Sequence, residues 1–390
     1  MKILHIDQHY NYGGGTEQYL LSIMDLLEKR GHPQVIVYAI KTDKTVTKEG
    51  RREYCLPGIT AEFNRDKLGE LEKIINHESP DIIYLHNVHN MFAVELCVKK
   101  RPTIRYIHDP SICCFTHWKL LPGLIDLCED RLGLSCFRNR CLKFEPKNFT
   151  SYQVKKRNLR LHNNLNKIIV ASEYMKHLLV QNGVSSSKIE IISYFVTSPP
   201  SDFLLKPANI DDAKTILYAG LIHKIKGVDL MLKALSLVKN DFIAVLAGSG
   251  EYLEEYKQMA IDLGIGERVK FLGWVPNEIL MEHYRNAALM LVPSFWIEAF
   301  AIVGIEAMSC AKPVIGFDTG GISEWLKHNI NGFLVPRGAY DEMAKKIDIL
   351  LESKKQREEM GQAGRNLYEA NFTKEIHTGK LLDVFEKISS

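Results

Sequence analysis

Short apolar runs recur along the chain and alternate with longer stretches whose apolar positions return every three or four residues. The runs predict buried strands and the longer stretches predict amphipathic helices. Strands are expected at Lys2–Asp7, Gln34–Ile40, Asp81–His86, Thr103–Ile107, Lys167–Ala171 and Glu190–Ile192. After residues 195–212, which hold three prolines and little periodicity and read as a linker, they resume at Thr215–Ala219, Phe242–Ala247, Val269–Leu272, Leu289–Val292, Val314–Phe317 and Gly332–Val335. Helices over Leu68–Asn76, Tyr174–Gln181, Val228–Val238 and Tyr252–Leu263 separate several of them. Strands alternating with helices imply an α/β architecture, two successive doubly wound domains with parallel sheets covered on both faces.

Polar residues interrupt this pattern at informative places. Within the apolar segment Leu289–Phe317 stand Glu298, expected in a loop, and Glu306, expected on the helix that follows. An ionised carboxylate beside so much apolar sequence is costly unless something hydrogen-bonds it, so a protein donor or a hydroxyl-rich ligand is implied. Two carboxylates suit glycoside hydrolysis and hydroxyl recognition equally well. Gly13, Gly14 and Gly15 lie between the first strand and a helix that Thr16 is placed to cap, and glycine there permits backbone conformations closed to other residues. Gly220 and Lys226-Gly227, then Gly248, repeat the glycine turn in the second half. Such turns present free N–H groups to an anion, although a ligand-free turn has the same sequence. His108 ends a buried strand, where ligands of parallel sheets sit.

The chain of 390 residues is long enough for two or three domains. Its net charge of +3 conceals an asymmetry, with 28 Lys+Arg against 21 Asp+Glu in residues 1–200 and 22 against 26 thereafter. Residues 138–160 hold eight basic side chains and one acidic, a segment suited to an anionic surface or simply to solvent. No signal peptide and no bilayer-length apolar run is visible, and eight cysteines without secretory features point to a reducing, cytoplasmic setting. Cys114, Cys128, Cys136 and Cys141 are candidate ligands for a structural zinc, but spacings of 14, 8 and 5 residues match no standard ribbon, and reduced cysteines are the default. No Gly-x-Gly-x-x-Gly opens either half, which argues against a nicotinamide enzyme, and no Ser-His-Asp elbow or His-Glu-x-x-His helix is present.

Six segments in order resemble the retaining glycosyltransferases of the GT-B fold, specifically family 4 (glycosyl transferases group 1). They are Gly13 to Glu17, His108-Asp109, Gly220 through Lys226-Gly227, Gly248-Ser249-Gly250, Phe271 to Val275, and Pro293 through Glu298 to Glu306-Ala307-Met308. The resemblance implies two Rossmann-like domains facing a central cleft: an acceptor-binding domain over 1–195, against which a helix around 373–388 packs, and a nucleotide-sugar domain over 212–372. It implies that Glu298 and the backbone of Phe300 and Ala301 meet the donor sugar and that Glu306 binds the ribose. Lys226, with Gly14, Gly15, Gly220 and Gly248, would serve the diphosphate, Val275 the base, and His108 the reacting sugar. The expected substrates are a UDP-, GDP- or ADP-sugar and a lipid-linked or saccharide acceptor in surface glycan synthesis. No cofactor, metal or nucleic acid is needed, and the enzyme would be cytoplasmic with a peripheral contact to the membrane. Leu221 departs from the pattern, because the family usually has Arg there. This departure supports an alternative, a weak or non-enzymatic nucleotide-sugar binder that assists a partner transferase. Glu298-Ala299-Phe300-Ala301 also replaces the commoner Glu-Gly-Phe-Gly.

Overall fold

The computed structural model describes residues 1–11, 13–62, 64–116, 118–123, 126–197, 199 and 214–389. Most of the expected linker lies outside the described residues. The chain divides into two compact units, one made of Met1–Tyr194 with Lys374–Ser390 and the other of Phe195–Thr373.

The first unit runs β1 (Ile3–His9), α1 (Gly15–Lys29), β2 (Gln34–Ile40), β3 (Arg52–Cys55), α2 (Leu68–Glu78), β4 (Ile82–Leu85), α3 (Met91–Lys100), β5 (Thr103–Ile107), α4 (Ser135–Arg138), α5 (Pro146–Leu161), β6 (Lys167–Val170), α6 (Glu173–Gln181) and β7 (Ile189–Ile191). Its seven strands pair in parallel in the order β3-β2-β1-β4-β5-β6-β7. Strand β3 was not expected. It is an edge strand of four residues with no buried side chain, so it carries no apolar run for a sequence pattern to detect.

The second unit runs β8 (Thr215–Ala219), α7 (Val228–Ser236), β9 (Ile243–Ala247), α8 (Leu253–Asp262), β10 (Val269–Gly273), α9 (Asn277–Asn286), β11 (Leu289–Val292), α10 (Ile302–Ser309), β12 (Val314–Phe317), α11 (Ile322–Trp325), β13 (Gly332–Val335), α12 (Tyr340–Glu352) and α13 (Lys354–Asn371). The strand order is β10-β9-β8-β11-β12-β13, again all parallel. Strands β8 and β11 are almost wholly buried because helices cover both faces, which is why they read as uninterrupted apolar runs. Leu289, Leu291, Ile315 and Phe333 from the sheet meet Met231, Leu235 and Ile347 from α7 and α12 in one core. The last helix, α14 (Lys374–Ser389), belongs to the first unit, where His377 donates from Nδ1 to the Ser193 carbonyl at 2.7 Å.

Candidate functional site

In the second unit the strand order reverses between β8 and β11. A parallel sheet opens a crevice at the carboxyl ends of its strands at such a reversal. Two loops meet there, residues 220–227 after β8 and residues 293–301 after β11. The backbone N–H groups of Phe295 and Trp296 both donate to the Ile225 carbonyl, at 3.0 and 3.1 Å. Gly227 makes this approach possible, since its φ is +66° and a Cβ there would stand 2.0 Å from the Pro293 carbonyl oxygen. The clamped loops place Lys226 Nζ 2.6 Å from Glu298 Oε1.

Two more donors reach the same oxygen, Ser294 Oγ at 2.5 Å and the Trp296 indole N–H at 2.9 Å. Glu298 is 6% exposed. Burial pushes its carboxyl up, but the Lys226 ammonium and the hydrogen bonds from Lys226, Ser294 and Trp296 outweigh burial and hold it below the usual carboxylate range. The buried charge implied by the sequence is therefore stabilised by protein donors, all directed at Oε1. The Lys226 ammonium also lies 5.1 Å from the centroid of the Trp296 ring. Glu306, on α10, is half-buried, and the Tyr284 hydroxyl donates to its Oε2 at 2.7 Å. Burial raises its carboxyl and the Tyr284 hydrogen bond offsets only part of that. The sequence reading missed Ser294, Trp296 and Tyr284. The first two are legible only in hindsight, as polar groups four and two residues before Glu298, and Tyr284 is 22 residues from Glu306.

Ala301 precedes α10 with φ 63° and ψ 77°, a left-handed conformation that suits glycine far better than alanine. Ala301→Gly is expected to raise stability by about 0.5–1 kcal/mol, read as a later urea midpoint at unchanged slope. The Phe300 carbonyl accepts from the Trp325 indole, and α10 begins without a side-chain cap. Gly220 and Gly248 pack backbone to backbone at the ends of β8 and β9, where a Cβ on Gly248 would stand 1.8 Å from the Gly220 carbonyl oxygen. Val275 is half-buried in the loop after β10. Leu221 is 48% exposed. Its basic neighbours turn elsewhere: His223 pairs with Glu251 at 3.0 Å and Lys224 lies over the Tyr252 ring at 4.8 Å.

Gly14, Gly15 and His108 belong to the first unit. The turn there differs from expectation in two ways. None of Gly13, Gly14 and Gly15 has a positive φ, and Thr16 does not cap α1, because its hydroxyl donates to Glu17 at 2.9 Å while Gly14 takes the N-cap position. A Cβ on Gly14 would stand 2.8 Å from Glu17 Oε2, the far end of a flexible side chain that can move aside.

His108 is buried and both its ring nitrogens are engaged, Nε2 with His86 at 3.3 Å and Nδ1 with the Tyr194 hydroxyl at 2.6 Å. The chain continues from His86 Nε2 to His5 Nδ1 at 3.1 Å and from His5 Nε2 to Gln34 Oε1 at 2.6 Å. The Gln34 amide donates to the His32 carbonyl, so its oxygen must accept from His5. That fixes every tautomer: Tyr194 donates to His108, His108 to His86, His86 to His5, each imidazole carrying its proton on Nε2. Burial lowers His5 to about 4, His108 to about 3 and His86 well below its usual value. Their folded values lie below the unfolded 6.5, so the neutral chain contributes its full stability above that pH and loses it as pH falls toward 3–4. Asp7, raised by burial to about 7, works in the opposite direction, while His162 and His377 of the same unit, lowered by burial to about 3 and about 4, act with the chain. A fall from pH 7 to pH 5 is expected to cost the folded unit about 1–2 kcal/mol for each of His5 and His108, with His86 acting in the same direction, measured as the drop in urea midpoint.

Cys114, Cys128, Cys136 and Cys141 are near enough to influence one another electrostatically, yet among the described residues no group of three or more His, Cys, Asp or Glu is placed to hold a metal ion. Three of the sulfurs take local partners instead: Cys114 the Thr116 hydroxyl at 3.1 Å, Cys128 the Asp130 carbonyl at 3.9 Å, and Cys141 the Asn139 carbonyl at 3.9 Å. Burial pushes the Cys136 thiol up and the Cys141 thiol to about 11, favouring the protonated form.

Residues 13–197 match the family model Glycosyltransferase Family 4, and residues 202–367 match Glycosyl transferases group 1. An uncharacterized glycosyltransferase of Methanocaldococcus jannaschii is 34% identical over 143 residues, which span 36% of this chain and 36% of that protein. A GDP-mannose-dependent alpha-(1-6)-phosphatidylinositol monomannoside mannosyltransferase of Mycobacterium tuberculosis is 28% identical over 189 residues, 46% of this chain and 49% of that one. The chain's matches thus span less than half the length of these curated relatives. Two solved structures share the fold along 99% of this chain at 19% identity. One is Anabaena Alr3699/HepE in complex with UDP and glucose, with TM-score 0.73 and 100% of that chain covered. The other is the sucrose-phosphate synthase of Thermosynechococcus elongatus, with TM-score 0.75 and 98% covered. With two parallel-sheet units of this topology, and family models matching consecutively from residue 13 to residue 367, the chain belongs to the GT-B glycosyltransferases of family 4, group 1.

Proposed function

We propose that this glycosyltransferase is a retaining, metal-independent enzyme that moves a hexosyl group from a nucleotide-sugar to a lipid-linked or saccharide acceptor in surface glycan synthesis. The observation that carries the reading is the Lys226–Glu298 pair at the strand-order reversal of the second unit, with an uncapped helix start beside it. Glu298 would accept from hydroxyls of the donor sugar. Glu306 would accept from the ribose, Val275 would lie by the base, and the backbone at Phe300 and Ala301 would meet the sugar. Lys226, the start of α10 and the close-packed Gly220 and Gly248 would receive the diphosphate. Gly14 and Gly15 would serve it through backbone N–H groups at the start of α1. With both ring nitrogens engaged, His108 would act on the sugar through the backbone at the end of β5 rather than through its ring. In the reaction the bond from the anomeric carbon to the diphosphate oxygen breaks and a bond to the acceptor oxygen forms on the same face. The departing diphosphate takes the acceptor's proton, and the positive groups around it stabilise the developing charge.

The relatives' names include both GDP-mannose and UDP with glucose, so they support a nucleotide-sugar donor without selecting the base. Among the described residues no helix is long and apolar enough to cross a membrane. A cytoplasmic enzyme in peripheral contact with an anionic membrane would reach a lipid-linked acceptor from its surface.

Incubation with a panel of UDP-, GDP- and ADP-sugars plus acceptor extract tests the reading. Sugar-dependent nucleotide release is expected, and no release with any donor would overturn it. The orientation of His223 toward Glu251 and of Lys224 over Tyr252 favours a second reading, a nucleotide-sugar binder that supports a partner transferase, because neither then replaces the Arg usual at Leu221. Leu221→Arg is expected to raise kcat/KM about tenfold if the protein is an enzyme. Tight nucleotide binding by calorimetry, with no turnover in either form, would favour the binder.

A further inference from the structure

We propose that the surface around Phe144 and Phe149 in the first unit docks on an anionic phospholipid bilayer. This deepens the membrane contact of the proposed function and rests on that reading for its purpose, delivery of the enzyme to a lipid-linked acceptor. Phe144 is 82% exposed and Phe149 51% exposed, an unfavourable placement for large apolar rings in water. They form one patch, because both stand on the buried ring of Phe137, at centroid distances of 4.9 and 6.2 Å. Tyr152 braces the same anchor at 5.8 Å, so the exposed rings project from a packed aromatic base. Leu134, 71% exposed, opens the short helix that carries Phe137.

The charges around these rings are mostly positive. Residues 131–147 contain Arg131, Arg138, Arg140, Lys143 and Lys147, against the single acid Glu145. Arg138 pairs with Asp130 and Lys147 with Glu145, while among the described residues Arg131, Arg140 and Lys143 have no acidic partner. Exposed aromatic rings between unpaired cations match the headgroup boundary of a bilayer, where rings enter the interface and cations meet phosphates. A second copy of the chain is the poorer occupant, since a twofold contact would bring the same cations against each other.

Sedimentation of the full chain with phosphatidylcholine vesicles, with and without phosphatidylglycerol, at low and high salt, is the test. Binding is expected only with phosphatidylglycerol and is expected to weaken with salt. Phe144→Ser with Phe149→Ser, and separately Arg140→Glu with Lys143→Glu, should each reduce partitioning about tenfold. Both pairs should retain the wild-type circular dichroism spectrum and turnover on a soluble acceptor. Equal binding to vesicles of either composition, or wild-type binding by both double variants, would overturn the proposal. So would a change in self-association of the phenylalanine variant by sedimentation velocity without a change in vesicle binding, which would assign the patch to a protein contact. Vesicle binding is measured without donor, so failure of transfer with vesicle binding intact counts against the proposed function alone.

Discussion

Glu298→Gln is expected to lower kcat/KM for glycosyl transfer by about two to three orders of magnitude while leaving the fold intact. The amide keeps the shape of the carboxylate, so the change removes charge rather than volume. Three donors converge on Oε1, and one of them is the Lys226 ammonium at 2.6 Å. A neutral amide oxygen accepts from them weakly, and if the side chain turns its NH2 toward them, donor faces donor. Lys226 would be left without its anionic partner in a largely buried setting, which displaces it from the position proposed for the diphosphate. Glu306→Gln should be much milder, about tenfold and mainly in the donor KM, because its one described contact comes from the neutral Tyr284 hydroxyl. Initial rates across donor concentration separate the two. A Glu298→Gln enzyme within twofold of wild type, beside a dead Glu306→Gln enzyme, would reverse the assignment.

Gly227→Ala is expected to destabilise the second unit by about 3 kcal/mol and to abolish its ligand binding. Two independent effects act at this residue. The left-handed φ of +66° disfavours any side chain, and a Cβ would stand 2.0 Å from the Pro293 carbonyl oxygen. Backbone must move to relieve that overlap, and the movement would break the hydrogen bonds from Phe295 and Trp296 to Ile225 that join the two loops. Urea unfolding should show an earlier midpoint, and nucleotide calorimetry should lose its heat even where the unit stays folded. Retained binding at normal affinity would mean that the loop contact does not position Lys226.

The chain's own pattern of apolar runs determined the strands, several to the residue, among them Gln34–Ile40, Thr103–Ile107 and Leu289–Val292. These strands are almost wholly buried, so apolar residues fill most of their positions and the boundaries are sharp, although Gln34, Thr103 and Arg105 are buried among them. Edge strand β3 lacks that constraint and left no mark in the sequence. Glycine positions were legible, but their reasons were not. Gly227 needs a positive φ and Gly14 does not, a difference set by neighbours distant in sequence. The sequence also marked Glu298 as a charge in need of a partner, without indicating whether that partner was protein or ligand.

Only the tertiary structure decided that Lys226 joins Ser294 and Trp296 at one oxygen of Glu298, because that contact depends on β8 and β11 becoming neighbours across two intervening strands. It likewise turned His108 from a free imidazole at a strand end into one link of a buried chain running through His86 and His5 to Gln34, residues brought together by β2, β1, β4 and β5. Burial patterns are written along the chain because each residue carries its own hydrophobicity. Hydrogen-bond partners are properties of pairs, and they exist only once the sheet order has set which strand ends lie side by side.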